Sequence, residues 1–200
     1  MLSFSFYLFQ PLEQIEETFQ LAARLGAKQL FTSLHVSKGQ EIEEQRKLDR
    51  IGQFASCYGI GVVADVTPTV LSRLSADADI AAVLRRWGIV GLRLDDGFSM
   101  KEAASLSKQV KVVLNASTMT EWECKELASY QADKSNVEAW HNFYPRPETG
   151  LGGETVLAQN QRLRRYGIEE IGAFIPGDAK KRGPLYEGLP TLEAHREADP

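Results

Sequence analysis

Polar residues stand at the ends of several apolar segments of this sequence, which is where enzymes built on parallel sheets carry their chemistry. Asp65 and Asp95 each end such a segment. Two carboxyl groups in a partly dry cleft can serve as a general acid and a base or nucleophile, because crowding raises the pKa of one while the other stays ionised. The two aspartates could instead only cap neighbouring loops, and the pattern alone leaves both interpretations open.

Further polar residues end the neighbouring segments, and a converging set of this kind is typical of one binding cleft. They are His35, Asn115, Ser117, His141 and Asn142. Because side chains alternate along a strand, we expect Asp65, Asp95 and Asn115 to point into one interior top layer. Arg93 would lie one layer lower, where a buried charge needs a partner, and Glu138 is the candidate.

Metal and Schiff-base chemistry are the weaker alternatives. His35 and His141 could join the aspartates around a metal, but no His-x-His or His-Glu-x-x-His spacing occurs. Cys57 and Cys124 belong to no Cys-x-x-Cys or Cys/His cluster, so we expect both to be buried small apolar residues. Lys111 begins a strand instead of ending one, so it does not suit a Schiff base. The sequence therefore predicts neither a metal nor another cofactor.

The elements that must position these residues alternate between short apolar runs and amphipathic stretches. Strands are predicted at residues 2–8, 29–35, 60–66, 89–95, 111–117, 137–144 and 171–177, each followed by a helical stretch. Four of the helices end in an aromatic residue or leucine, then glycine, then an apolar residue; the glycines are Gly26, Gly59, Gly88 and Gly167. Glycine at this place accepts the left-handed conformation that ends a helix.

The spacing of these strands favours the α/β class and a (β/α)8 TIM barrel. Strand starts recur about every 28 residues, close to the βα repeat of such barrels. A doubly wound open sheet is the alternative, but the first strand-to-helix turn, residues 9–12, has no glycine-rich phosphate loop. An eighth strand would begin at about residue 199, so we expect a barrel truncated after its seventh βα unit.

Composition excludes several classes of partner. The formal net charge of the 200 residues is −4, so the chain has no basic field to bind nucleic acid or an anionic membrane surface. No apolar run approaches the roughly 20 residues that cross a bilayer. The expected partner is therefore a small molecule, and any anionic group on it must be held locally.

Two long loops supply candidates for binding such a molecule. The loop after the sixth strand contains Tyr144, Arg146, Glu148, Thr149 and Gly150. The loop after the seventh strand contains the basic cluster Lys180, Lys181 and Arg182. TIM barrels often bind phosphate with the loops after strands seven and eight, so this cluster is the candidate for an anionic group of the substrate. An ordinary solvated basic turn is the alternative.

Taken together, these motifs resemble the bacterial 6-phospho-N-acetylmuramidases, a family of TIM-barrel glycosidases. The resemblance covers essentially all 200 residues. It rests on motifs in the family's order: Asp65-Val66-Thr67-Pro68, Arg93-Leu94-Asp95 with Gly97-Phe98, Leu114-Asn115-Ala116-Ser117, His141-Asn142-Phe143-Tyr144-Pro145 with Thr149-Gly150-Leu151, and Gly188-Leu189-Pro190-Thr191-Leu192-Glu193.

The resemblance implies a cytoplasmic enzyme of cell-wall recycling. Its substrate would be a small phosphorylated amino-sugar disaccharide, MurNAc-6-phosphate-GlcNAc, cleaved into MurNAc 6-phosphate and GlcNAc. Glycoside hydrolysis uses two carboxyl groups, for which Asp65 and Asp95 are the candidates without assigned roles, and Glu148 is the reserve acid.

The same resemblance suggests how the substrate would be bound. Sugar hydroxyls and the N-acetyl group would be held by Asn115, His141, Asn142 and Tyr144. Arg182 and Arg146 would bind the phosphate or the lactyl carboxylate. Further substrate-binding candidates are His35, Ser117, Thr149 and Gly150.

Family members carry a smaller cyclophilin-like β domain after the barrel. The resemblance therefore implies that residues 1–200 are an incomplete N-terminal TIM-barrel domain, lacking the eighth strand and that second domain. Two other functions stay open: a different phosphosugar enzyme on the same barrel, such as an isomerase or metal-dependent aldolase, and a non-catalytic sugar-phosphate binding fragment. The sequence also leaves open whether the chain forms a homo-oligomer.

Overall fold

The structure is a computed structural model that describes residues 2–34, 41–75, 79–142 and 151–174. The strands in these ranges are β1 (Ser3–Ser5), β2 (Gln29–Ser33), β3 (Gly61–Val66), β4 (Ile89–Leu94), β5 (Lys111–Asn115), β6 (Val137–His141) and β7 (Ile171–Ala173). The helices are α1 (Leu12–Arg24), α2 (Glu41–Tyr58), α3 (Pro68–Ser75), α4 (Ile80–Arg86), α5 (Met100–Ser107), α6 (Glu121–Ser129) and α7 (Gly153–Arg165), with a 3-10 turn at Lys134–Asn136.

The strands follow the chain order across the sheet, from β1 at one edge to β7 at the other. The pairs β1–β2, β2–β3, β3–β4 and β6–β7 are parallel. Parallel neighbours joined by helices form the βα repeat of the TIM-barrel class, so the predicted α/β fold is confirmed, with seven of its eight strands in the described ranges. β4 and β5 end one and two residues before their predicted ends, and the residues after β5 form a turn.

The glycine pattern marks helix ends as predicted. Positive φ angles of 74°, 62°, 69° and 83° occur at Gly26, Gly59, Gly88 and Gly167. After Gly59, the Ile60 N–H donates to the Ala55 carbonyl over 3.0 Å, which satisfies a carbonyl at the end of α2 just before β3 begins. The sequence therefore predicts the helix-to-strand junctions closely.

The chain divides into two compact units, and the first comprises Met1–Ser99 with Gln109–Val112. Its core forms around Phe19 of α1, whose ring lies 5.9 Å from that of Phe6 and 6.0 Å from that of Phe54. Ile15, Phe19 and Ala22 are the buried positions of α1, at the three-to-four spacing of one helix face. This apolar face is what holds the helix against its strands.

The second unit comprises Met100–Lys108 with Val113–Pro200. Helix α6 begins at a capping box: Thr120 Oγ1 accepts from the Glu123 N–H over 3.2 Å, and the Glu123 carboxylate accepts from the Thr120 N–H over 2.7 Å. Leu163 of α7 and Ile168 before β7 are fully buried. This unit positions the turn after β5 and the end of β6.

The two cysteines differ in environment. Cys124 is buried as predicted, and burial raises the pKa of its thiol. The prediction for Cys57 is wrong, because the residue is exposed on α2. It lies beside Ser56 on the solvent face of that helix, while Phe54 and Ala55 occupy the buried face.

Candidate active site

A row of three polar side chains crosses the first unit near the carboxyl ends of its strands. The register pairs Ser33 of β2 with Asp65 of β3, and Asp65 with Arg93 of β4. Residues paired in this way on parallel strands point to the same side of the sheet, so the sequence prediction that Asp65 and Arg93 share a face is confirmed.

The row depends on a β-bulge in β4. Pairing passes from Val62–Ile89 to Val63–Gly91, which leaves Val90 as an extra residue in β4. A bulge of this kind re-aims the side chains that follow it and is frequent beside active sites. Without the extra residue, the arginine of the row would not stand opposite the aspartate.

A buried ion pair joins the two charged members of the row. Arg93 Nη1 donates to Asp65 Oδ1 over 2.7 Å, and the two residues are 5% and 9% exposed. Ser33 Oγ donates to Asp65 Oδ2 over 3.5 Å. Because a neighbouring guanidinium stabilises the charged form of a carboxyl group, the 2.7 Å contact favours Asp65 as a carboxylate.

The partner predicted for Arg93 was Glu138. In the second unit, the Glu138 carboxylate accepts from Trp140 Nε1 over 3.0 Å. The ion pair between Arg93 and Glu138 stays a prediction, whereas the pair with Asp65 was not foreseen.

Asp95 directly follows β4 and is half-buried. Its N–H donates to the Val66 carbonyl over 3.0 Å, one step beyond the last paired residues, Val66 and Leu94. The prediction that Asp65 and Asp95 share one layer is wrong, because Asp65 is level with Arg93, two residues earlier. Prediction from the sequence places a residue by its distance from the end of its own strand, whereas the backbone hydrogen bonds between strands set the actual register.

In the second unit, a chain of hydrogen bonds connects the turn after β5, the end of β6 and helix α7. Ser117 Oγ lies 3.2 Å from His141 Nδ1, and His141 Nε2 lies 2.9 Å from Asn160 Oδ1. The Asn142 N–H donates to Ser117 Oγ over 3.1 Å. His141 is 1% exposed and Ser117 is 7% exposed, whereas Asn142 and Asn160 at the two ends of the chain are half-buried.

His141 therefore points toward α7. Its neighbour Trp140 lies on the other face of β6 together with Glu138, as their mutual hydrogen bond requires. Both ring nitrogens of His141 contact protein atoms, so its polar atoms are occupied. Direct contact with a sugar, as the sequence predicts, stays a prediction, and the contacts present are those of a positioning group.

Asn115, the last residue of β5, and Ser117, in the turn that follows, are joined by a hydrogen bond. The strand ends at Asn115 instead of continuing to residue 117, and Asn115 Oδ1 accepts from the Ser117 N–H over 3.0 Å. Gln159 Nε2 donates to the Ser117 carbonyl over 3.2 Å. The N–H, the hydroxyl and the carbonyl of Ser117 are thus all engaged, which fixes the turn.

Several predicted site residues lie outside the described ranges: His35, Tyr144, Arg146, Glu148, Thr149, Gly150 and Arg182, together with Lys180 and Lys181. Their roles stay predictions.

Sequence reasoning missed Gln159 and Asn160 of α7. A usable signal existed for Asn160, because Val156, Asn160 and Leu163 follow the spacing of one helix face, and the two apolar residues are buried. An asparagine between two core positions must find a hydrogen-bonding partner.

Two possible features are not observed in the part of the chain that the structure describes. No group of three or more His, Cys, Asp or Glu side chains there could hold a metal ion. Nor is any helix in those ranges both long enough and apolar enough to cross a membrane.

A βα repeat with polar residues after its strands defines the class of (β/α)-barrel proteins, which bind ligands at the carboxyl ends of the strands. Within that class, the chain belongs to the family described as 6-phospho-N-acetylmuramidase, N-terminal, whose profile matches residues 2–200. The resemblance seen in the sequence is thereby confirmed at the level of the family.

Solved structures support the same fold. A conserved protein of unknown function from Enterococcus faecalis is 33% identical and superposes with a TM-score of 0.78, covering 98% of this chain and 54% of that one. A Bacillus cereus protein, described as uncharacterized, is 30% identical with a TM-score of 0.75, covering 97% of this chain and 53% of that one. A dipeptide epimerase from Enterococcus faecalis, 16% identical with a TM-score of 0.53 over 86% of this chain and 47% of its own, shares the fold alone.

The chain spans about half the length of the two more similar structures. No protein of curated function matches the chain significantly in sequence.

Proposed function

We propose that the protein is a glycosidase that hydrolyses MurNAc-6-phosphate-GlcNAc to MurNAc 6-phosphate and GlcNAc, in the recycling of bacterial cell wall in the cytoplasm. The observation that supports this most directly is the family match over residues 2–200. Asp65, near the end of β3, and Asp95, directly after β4, are the proposed pair of carboxyl groups that glycoside hydrolysis needs.

The ion pair supports different roles for the two aspartates. Asp65, held as a carboxylate by Arg93 at 2.7 Å, suits the base or the nucleophile. The pairing also offsets much of the cost of burying the charge. A group kept ionised in this way is a poor proton donor, so the acid must come from elsewhere.

Asp95 is the proposed general acid, which would protonate the glycosidic oxygen as the bond to GlcNAc breaks. It is half-buried and lies two residues beyond Arg93, and its N–H continues the pairing with β3 by donating to the Val66 carbonyl over 3.0 Å, which favours the face of the sheet that carries the ion pair. Glu148, outside the described ranges, remains the reserve acid.

Substrate binding is assigned to polar groups after β5 and β6 and to the two long loops. Asn115, Asn142 and Tyr144 would hold sugar hydroxyls and the N-acetyl group. Arg146 and Arg182 would bind phosphate or the lactyl carboxylate, since arginine matches both groups with paired hydrogen bonds. The remaining candidates are His35, Ser117, Thr149 and Gly150.

The assignment of the acid predicts how Asp95→Asn responds to the leaving group. With the disaccharide, whose leaving alcohol needs a proton, we expect kcat to fall by about 100-fold. With a nitrophenyl glycoside of MurNAc 6-phosphate, whose leaving group departs without protonation, we expect kcat/KM, which reports the bond-breaking step, to change by less than about fivefold. Release of GlcNAc and of nitrophenol measures the two rates.

The matched control is Asp96→Asn, an exposed aspartate one position along the chain that changes the net charge equally. We expect it to cleave both substrates at wild-type rates. Equal losses on both substrates in the Asp95 variant would contradict its role as the acid. Failure of the wild-type protein to release GlcNAc at all would overturn the proposed function.

A further inference from the structure

The hydrogen-bonded chain around His141 has a definite direction. Asn160 Oδ1 can only accept, so the imidazole nitrogen 2.9 Å from it, Nε2, carries the proton. Nδ1 is then unprotonated and accepts from the Ser117 hydroxyl at 3.2 Å. The Ser117 oxygen in turn accepts from the Asn142 N–H at 3.1 Å. Every donor in the chain meets an acceptor.

This order matters because the same serine holds two segments together. Its N–H reaches the Asn115 side chain over 3.0 Å, within the turn after β5, and its oxygen holds the backbone of Asn142 at the end of β6. A neutral imidazole has one donor and one acceptor nitrogen, so reversing the tautomer would set the unprotonated Nε2 against the Asn160 Oδ1, with no proton between the two acceptors. Only the Nε2–H form lets the hydroxyl point at the ring.

We propose that Asn160 and His141 are positioning residues, which orient the Ser117 hydroxyl and thereby fix Asn142 and Asn115 in their sugar-binding arrangement. The effect of the network on catalysis rests on the proposed function; its proton order does not. In this role His141 acts through Ser117. A residue in α7 therefore sets the geometry of the turns after β5 and β6. Hydrogen-bond partners orient the rings of metal-bound histidines in the same indirect way.

The tautomer of His141 tests the proton order without any activity assay. In the isotopically labelled wild-type protein at pH 8, nitrogen NMR of the imidazole is expected to show the proton on Nε2. Finding it on Nδ1 would overturn the proposal. Asn160→Leu removes the acceptor at nearly constant volume, and we expect the Nε2–H signal to be lost and the Asn142 amide to exchange faster with solvent.

Gln161→Leu is the matched control, since this exposed residue follows Asn160 in the same helix. We expect it to leave the His141 and Asn142 signals unchanged. If Asn160→Leu does not fold, Ser117→Ala serves instead: the Nε2–H signal should persist while exchange of the Asn142 amide accelerates. Unchanged exchange in a folded variant would contradict the proposal.

Kinetics separate positioning from a merely structural role. Misplaced sugar-binding groups weaken substrate and transition state alike, so Asn160→Leu should raise KM about tenfold and leave kcat within about twofold. A fall in kcat with unchanged KM would overturn the positioning role. If wild-type protein cleaves no disaccharide, the proposed function fails while the NMR result still decides the proton order.

Discussion

Asp65→Asn is expected to lose about 1,000- to 10,000-fold in kcat on both the disaccharide and the activated nitrophenyl glycoside, because the missing carboxylate acts whatever the leaving group. The variant should remain folded, since an amide oxygen can still accept the 2.7 Å hydrogen bond from Arg93. Steady-state kinetics on the two substrates, with thermal unfolding as a check of folding, measure this effect.

The comparison with Asp95→Asn makes the prediction specific. Asp65→Asn should be impaired equally on both substrates, whereas the Asp95 variant should recover on the activated one. Asp96→Asn again controls for the lost charge. A folded Asp65→Asn protein with near wild-type kcat would remove this carboxylate from the mechanism and leave the ion pair a structural role.

The sequence predicts the placement of a candidate-site residue where that placement depends only on the residue's own strand. Asp65 and Asp95 follow apolar runs, so their placement at strand ends can be read from the sequence. Their relative height cannot, because it depends on pairing between strands and on a bulge at Val90 that no local pattern marks. The ion pair of Asp65 with Arg93 escaped prediction for that reason.

The second cluster shows a different limit. Strand alternation predicts which face a residue occupies only as far as the strand continues, and β5 ends at Asn115. Ser117 therefore lies in a turn, where alternation does not apply. His141 was grouped with the sugar ligands by its residue type, whereas its hydrogen bond to Asn160, more than a helical turn into α7, could not be read from the strand pattern.

The fold itself was more predictable than the site. Each helix-to-strand junction at Gly26, Gly59, Gly88 and Gly167 has its own local signal, since positive φ favours glycine. Together with these four junctions, seven apolar segments at βα spacing define the class before any contact is known. The exposure of Cys57 was missed because it depends on which face of α2 packs, not on residue type.

Gly52→Ala is expected to destabilise the first unit by about 3 kcal/mol. A Cβ at this position in α2 would lie 2.0 Å from the Arg86 carbonyl oxygen and 3.0 Å from the Trp87 Cα. Both are backbone atoms at the end of α4, so no side-chain rotation relieves the overlap. The two helices must move apart, and chemical denaturation would measure the loss.

The matched control is the same substitution at Gly153, at the start of α7, where a Cβ meets nothing within 4 Å. Alanine there should be neutral or stabilise by up to about 1 kcal/mol, because it restricts the unfolded chain. Equal stabilities of the two variants would contradict the close approach of α2 to the end of α4.

Product analysis of the wild-type protein tests the central claim most directly. Incubation with MurNAc-6-phosphate-GlcNAc, alongside the same disaccharide without phosphate and with a metal chelator present, should release MurNAc 6-phosphate and GlcNAc in equal amounts. We expect the phosphorylated substrate to be strongly preferred and the chelator to have no effect. Intact disaccharide after prolonged incubation with the folded protein, or cleavage that the chelator abolishes, would contradict hydrolysis by a carboxylate pair.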